Sequence, residues 1–299
     1  MMQEINLTII GDVFCSTTRT YLTYLKDAEL RPKNLWLINF TPAEPRAKKA
    51  ARYFGATVGN YFHSRQKTPS AGTFSAEFKL LCGELQETAA PLPVNLFDDF
   101  EASDYASHVD RFSAEDYDDA YLQRRILRTK GTAFLYTNGG IVPQKLLDHD
   151  SVKIFHIHPG VVPHVRGSDC FLWSCLVRSR PGVSCFYMSP GIDEGDVLGT
   201  MEFSTPDLKP LRSFMTPEGE DVACRALLYS IDPHTRAMML VKVLKDNAGA
   251  DLRHLGSTKQ KPSSRSAFLW MHPKLRLQVM NHLSSLVSGR NGGKLAAFK

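Results

Sequence analysis

Two histidines separated by one residue stand in the run Phe155-His156-Ile157-His158-Pro159-Gly160. In a strand, alternate side chains share a face, so this spacing turns both imidazoles to the same side. Pro159 has no N–H to donate and ends the ladder there. The pair therefore stands at the carboxyl end of a strand, where open α/β sheets bind their ligands. Further on, Gly191-Ile192-Asp193-Glu194-Gly195-Asp196 reads as an acidic, glycine-flanked loop between two strands. A carboxylate from that loop can meet the histidines at the same sheet edge. Two His and one Asp fit two chemistries. One is metal binding, as His-x-His plus a carboxylate. The other is acid–base catalysis, in which Asp orients a histidine. For the His-x-His pair alone, a histidine that merely hydrogen-bonds within the fold is as good a reading.

The elements that must position these residues follow from the hydrophobic pattern. Ile5 to Ile10 is a β-branched run closed by Gly11, and Ser16 or Thr17 can cap a helix carrying Tyr21, Leu22 and Leu25 on its apolar face. Asn34 to Phe40 reads as a buried strand, and Pro45 to Phe54 as a helix with proline in its first turn and Gly55 past its end. Helix is expected over 117–128, strand over 132–138, and a turn at Gly139-Gly140. Strand is expected again over 151–158, 182–188 and 197–203. Helices are expected from Asp169 to Arg178, capped by Ser168, and near 220–230, 233–245 and 275–287. Alternating strands and helices predict an α/β, Rossmann-like fold with a mostly parallel sheet and helices on both faces. The turn after the first strand, Gly11-Asp12-Val13-Phe14-Cys15-Ser16, has one glycine where a dinucleotide fingerprint needs three, which argues against a dinucleotide site. Residues 63–72 read as a polar loop, and 98–119 as a solvated acidic loop leading into a helix start.

The 299 residues carry 36 Lys+Arg and 31 Asp+Glu, a formal net charge of +5, with 43% hydrophobic and 22% charged residues. These fractions exclude wholesale disorder, and the charge is too small to argue for nucleic acid. The N-terminus shows no basic, apolar signal pattern, and apolar stretches such as 237–241 are far too short to span a membrane. The six cysteines form no CxxC pair and read as reduced, mostly buried thiols, so a cytoplasmic protein is expected. The expected division is a body over 1–247 and a short, basic C-terminal extension over 248–299 with one packing helix.

Taken together, several pieces in register resemble the formyltransferase family. They are His156-Ile157-His158-Pro159, Val162-Pro163, Arg166-Gly167, Gly182-Val183-Ser184 and Gly191-Ile192-Asp193-Glu194-Gly195-Asp196, with Ile141-Val142-Pro143-Gln144-Lys145-Leu146-Leu147 upstream. The family's motif reads Asn-x-His-Pro-Ser, Leu-Pro-x-x-Arg-Gly, Gly-Val-Thr and Asp-x-Gly-Asp. The resemblance covers about 132–203. It implies formyl-tetrahydrofolate as one-carbon donor and co-substrate, with His158 as the catalytic histidine and Asp193 as its supporting carboxylate. His156 falls where the family has the Asn whose amide serves the formyl oxygen, and a histidine can also donate there. Gly160 falls where the family has Ser, which removes a hydroxyl and is expected to loosen the turn. The resemblance puts the pterin near Tyr136, Asn138, Gly139, Gly140, Ile141 and Val142, and against Gly191 and Ile192. Arg166 and Gly167 are the expected substrate contacts, and no metal is implied.

The expected reaction is therefore formyl transfer to an amine of a small metabolite, such as an amino sugar nucleotide or an amino acid. The tail is shorter than the C-terminal domain of a methionyl-tRNA formyltransferase, so tRNA is not the expected acceptor. Two alternatives remain: hydrolysis of formyl-tetrahydrofolate on the same scaffold, and a folate-binding homologue made non-catalytic by His156. A metal enzyme using His156, His158 and Asp193 is a more distant fourth.

Overall fold

Hydrophobic side chains alternate along the central strands and are buried on both sides, so the sheet must be covered twice. The computed structural model describes residues 2–12, 14–64, 74–137, 139–261, 266–288 and 293–298. In chain order the elements are β1 (Gln3–Gly11), α1 (Ser16–Asp27), β2 (Leu30–Phe40), α2 (Pro45–Phe54), α3 (Ala56–His63), α4 (Ala76–Ala89), β3 (His108–Ala114), α5 (Ala120–Arg128), β4 (Ala133–Tyr136), α6 (Gln144–Leu147), β5 (Ile154–His158), α7 (Cys170–Arg178), β6 (Gly182–Tyr187), β7 (Val197–Glu202), α8 (Glu220–Ser230), α9 (Asp232–Asp246) and α10 (Pro273–Ser288). The strands form one sheet in the order β3-β2-β1-β4-β5-β6-β7. Pairing is parallel from β3 to β5 and antiparallel from β5 through β7.

The period-two alternation sorts the core into two. Ile9, Leu35, Leu37, Leu135, Phe155 and Ile157 point to the larger cluster, where Tyr21, Leu22 and Leu25 of α1, Leu81 and Leu85 of α4, Leu227 of α8 and Leu240 of α9 cover them. Ile10, Trp36, Ile38, Phe134, Tyr136 and Ile154 point the other way, under Leu122 and Ile126 of α5 and Leu146 of α6. Each fully buried side chain of this size stabilises the fold by about 1.5–3 kcal/mol relative to exposure. Helices thus lie on both faces of the sheet, as the sequence implies.

Several expectations need correction. The acidic stretch 98–119 contains β3, an edge strand whose first half is partly exposed and whose second half, Phe112 to Ala114, is buried. A helix, α4, follows the undescribed residues 65–73, and the Ser75 hydroxyl caps it by accepting from the Phe78 N–H at 3.2 Å. Neither Ser16 nor Ser168 caps a helix: Cys15 and Asp169 hold those positions, and neither side chain bonds to its helix's first turn. β6 and β7 are antiparallel because residues 188–196 are too short for a crossover, which needs a dozen or more.

Residues after 247 are built into the body. Leu252, Leu255, Met271, Val279, Met280, Leu283 and Leu295 are buried in the larger core. Thr258 and Val197 exchange two backbone hydrogen bonds of 2.8 Å, so the tail lines the edge of β7. Phe268 accepts from the Ser168 N–H at 2.9 Å and donates to the Arg166 carbonyl at 2.7 Å. All six cysteines are free, and all but Cys15 are buried. Among the described residues, no helix is long and apolar enough to cross a membrane.

Candidate functional site

Position 154 of β5 faces the smaller core, so 156 and 158 share its side of the sheet. Their rings lie 5.9 Å apart between centroids, both against the buried ring of Phe186 at 5.5 and 6.2 Å. His158 is 2% exposed, whereas His156 is only partly buried. The acidic loop brings Asp193 to the same end: its Oδ1 lies 3.5 Å from Nδ1 of His158. The other ring nitrogen, Nε2, lies 3.1 Å from the Val165 carbonyl oxygen. A carbonyl only accepts, so Nε2 carries the hydrogen and the tautomer is assigned by that bond.

The loop that carries Asp193 is held from three directions. Asp193 itself adopts the left-handed conformation (φ 55°), which Asp tolerates better than most residues. Its Oδ2 accepts the Gly167 N–H at 2.8 Å. Gln260, from the tail, donates to the carbonyls of Asp193 and Gly195 at 2.9 and 2.7 Å. A Cβ on Gly195 would land on the Tyr187 carbonyl, so the loop can close only with glycine there. Gly167, at φ 105°, runs against the Phe268 backbone and has no room for a side chain either.

Electrostatics keep both histidines neutral at physiological pH. Burial, then the neighbouring His158, pushes His156 down to about 4, with Asp193 opposing. Burial pushes His158 down to about 3, helped by the Arg236 cation and opposed by the bond to Val165. Burial raises the Asp193 carboxyl above its ordinary range against the pull of His156, the Gly167 amide and Arg166. Arg236 lies in the protein interior on α9, where Asp232 accepts from it at 2.6 Å and Thr17 at 2.9 Å.

The remaining expected residues divide. Gly139, Gly140 and Ile141 line a cavity of about 620 Å³ with Phe40, Tyr117, Asp118 and Pro143, at the carboxyl ends of β2 and β4. Ile141 is 92% exposed and Ile192 62% exposed, so both present apolar surface, and Gly191 is exposed with them. Tyr136 and Val142 are buried in the smaller core instead, Tyr136 tilted against Tyr117 at 4.5 Å between ring centroids. Asn138 lies outside the described residues. Arg166 donates to Glu194 at 2.7 Å and Gly167 to Asp193, so both of these expected substrate contacts bind the acidic loop.

Gly160 corrects the sequence reading outright. It does not loosen the turn: a Cβ there would stand 2.6 Å from the Val165 oxygen and 2.9 Å from Nε2 of His158. Its carbonyl accepts the Ser184 hydroxyl at 2.7 Å, and that hydroxyl accepts the Val162 N–H at 3.0 Å. Glycine lets residues 161–165 fold down onto His158. Sequence reasoning also missed Gln260 and Arg236, which lie far from any motif. The signal for Arg236 is Asp232 four residues before it, the spacing of a helical ion pair.

No family model matches the chain. The methionyl-tRNA formyltransferase of Syntrophus aciditrophicus (strain SB) is 30% identical over 93 residues, 30% of this chain and 30% of that protein. That of Prochlorococcus marinus (strain MIT 9515) is 29% identical over 128 residues, 42% of this chain and 35% of that protein. The chain therefore spans about a third of the length of the curated relatives it matches. Among solved structures, a sugar N-formyltransferase from Shewanella sp FDAARGOS_354 aligns with a TM-score of 0.39 at 12% identity, covering 94% of this chain and 88% of that one. The N-formyltransferase from Helicobacter canadensis, in complex with folinic acid and dTDP-3-aminofucose, aligns at 0.40 and 12%, covering 94% and 80%. The sequence matches make part of this chain similar to methionyl-tRNA formyltransferases.

Proposed function

We propose that the chain is an enzyme that transfers a formyl group from formyl-tetrahydrofolate to an amine of a small metabolite, an amino sugar nucleotide or an amino acid. The observation that carries this reading is the convergence of His158 and Asp193 at the carboxyl end of β5, with Nδ1 and Oδ1 3.5 Å apart. The cavity beside Gly139–Ile141 suits the flat pterin: it has aromatic walls in Phe40 and Tyr117, and its volume of about 620 Å³ falls in the usual range for ligand pockets.

In this reading, the neutral acceptor amine attacks the formyl carbon and negative charge grows on the formyl oxygen. His156, neutral and the more accessible of the two rings, donates an N–H to that oxygen. His158, fixed by the Val165 carbonyl, lies beside Asp193, which the Gly167 N–H holds at the reacting end. Asp193 takes the proton that the amine sheds, through water. The C–N bond to the donor then breaks and the donor nitrogen is reprotonated.

The test is incubation with formyl-tetrahydrofolate alone, with candidate amines, and with methionyl-tRNA. Formylated small amine is the expected product. Formate in the absence of any amine points to hydrolysis, and formylated tRNA to a nucleic-acid acceptor. His158→Ala, which removes the wall against which Asp193 is placed, is expected to lower transfer on the order of 10²-fold with the fold retained. Full activity in that variant removes the mechanism.

A further inference from the structure

His158 stands between two acceptors. Its Nε2–H is committed to the Val165 carbonyl at 3.1 Å, so the neutral ring turns the Nδ1 lone pair toward Oδ1 of Asp193. Their separation of 3.5 Å is too long for a hydrogen bond, for which N···O runs about 2.7–3.2 Å. Two facing acceptors repel unless a cation or a proton lies between them. The distance matches one edge of a ligand tetrahedron: bonds of about 2.0–2.1 Å to zinc place adjacent ligand atoms about 3.4 Å apart. An octahedral site with the same bonds would bring them to about 2.9 Å.

The third corner is the residue that departs from the family motif. One ligand atom each from His156, His158 and Asp193 can be chosen so that all lie within 4.8 Å of one another; an edge that wide must close by about 1.4 Å as the metal binds to reach the roughly 3.4 Å of a zinc tetrahedron. The outer contacts are those that metal sites use. The far nitrogen of His158 is fixed by a backbone carbonyl, and the far oxygen of Asp193 by the Gly167 N–H at 2.8 Å. The nearby Arg236 cation is compensated by Asp232 at 2.6 Å. Partial exposure of His156 and Asp193 leaves an entry path.

We propose that His156, His158 and Asp193 bind one divalent cation of the zinc class, with a fourth position left open for water or a substrate oxygen. An amide at position 156 would remove one of the three ligands, so the site depends on the histidine this chain carries. The proposal goes beyond the formyl-transfer reading and stands on geometry alone.

The test uses the full chain, stripped with a chelator and dialysed. Zn²⁺ is titrated by calorimetry, and Co²⁺ is followed by its visible d–d bands, whose intensity reports four-coordination. One equivalent is expected, with strong Co²⁺ bands. His156→Asn and Asp193→Asn should each weaken binding by about 100-fold or more, beyond the loss that outer contacts alone cause. His164→Ala, at an exposed neighbour outside the ligand set, should leave it unchanged. Thermal melts of the apo variants show that they remain folded. Failure of the wild type to take up one equivalent, or equal affinity in His156→Asn, overturns the proposal. Formyl transfer is assayed separately on the chelated and the loaded protein, so the fate of that reading is read independently.

Discussion

Replacing Gly160 by alanine adds a single methyl group to the most crowded point of the site. The backbone there is not in the left-handed region, so the penalty comes from contact alone. The new carbon would lie 2.6 Å from the Val165 oxygen, 2.9 Å from Nε2 of His158 and 3.0 Å from Cγ1 of Val165. Relief requires residues 161–165 to lift or the imidazole to turn, and either movement breaks the 3.1 Å bond between them. Overpacking of this kind costs about 1–3 kcal/mol, and the lost bond adds about 1 kcal/mol. The total of about 2–4 kcal/mol corresponds to a fall in Tm on the order of 3–6 °C for a chain this long. Denaturant titration checks the stability. Nitrogen-15 NMR of His158 checks the tautomer, which should lose its single Nε2–H state. Gly83→Ala is the control: its Cβ meets nothing within 4 Å in α4, and it should stabilise by about 0.5–1 kcal/mol. A Gly160→Ala protein that melts with the wild type and keeps the wild-type His158 signals would refute the reasoning.

Acid should weaken the fold early. His156, His158 and His234 have folded values of about 4, 3 and 3 against an ordinary 6.5, so the unfolded chain binds protons that the folded chain refuses. Stability is therefore full above pH 6.5 and falls as pH drops toward those values, by up to about 1.4 kcal/mol per pH unit for each histidine. The raised carboxyls of Asp193 and Asp232 act in the opposite sense just above 3.8 and soften the fall. Denaturant midpoints at several pH values, with a His234→Gln variant showing a shallower slope, check this; a flat profile contradicts it. Gln260→Ala should cost about 1–2 kcal/mol by leaving two loop carbonyls without their donor. Hydrogen exchange at 193–196 should quicken more than exchange in β1, and unchanged exchange there would show that the tail does not hold the loop.

The parts of the site that the sequence exposes are those governed by short-range rules. Period two places His156 and His158 together, and Pro159 marks the strand end. Pro45 and Gly55 bracket α2 because their backbone limits are intrinsic. β3 hides because an edge strand needs only one buried half, and its Asp110 and Arg111 read as loop. The roles of Arg166 and Gly167 are illegible for a different reason. Nothing local says that their partners are Glu194 and Asp193, across a sheet edge. Gly160 shows the limit most sharply: a missing hydroxyl looks like slack in one dimension and is close contact in three.

The strap formed by Gln260, Phe268 and Met271 bears on synthesis. Asp193 is held by Gln260, the Arg166–Ser168 turn by Phe268, and Asp169 accepts the Met271 N–H at 2.8 Å. A nascent chain that has released only its strands still lacks these fastenings. The ribosome must therefore deliver the chain through Met271 before the reacting groups lock into register, and a chain stalled short of that point should yield a folded sheet with an unassembled centre.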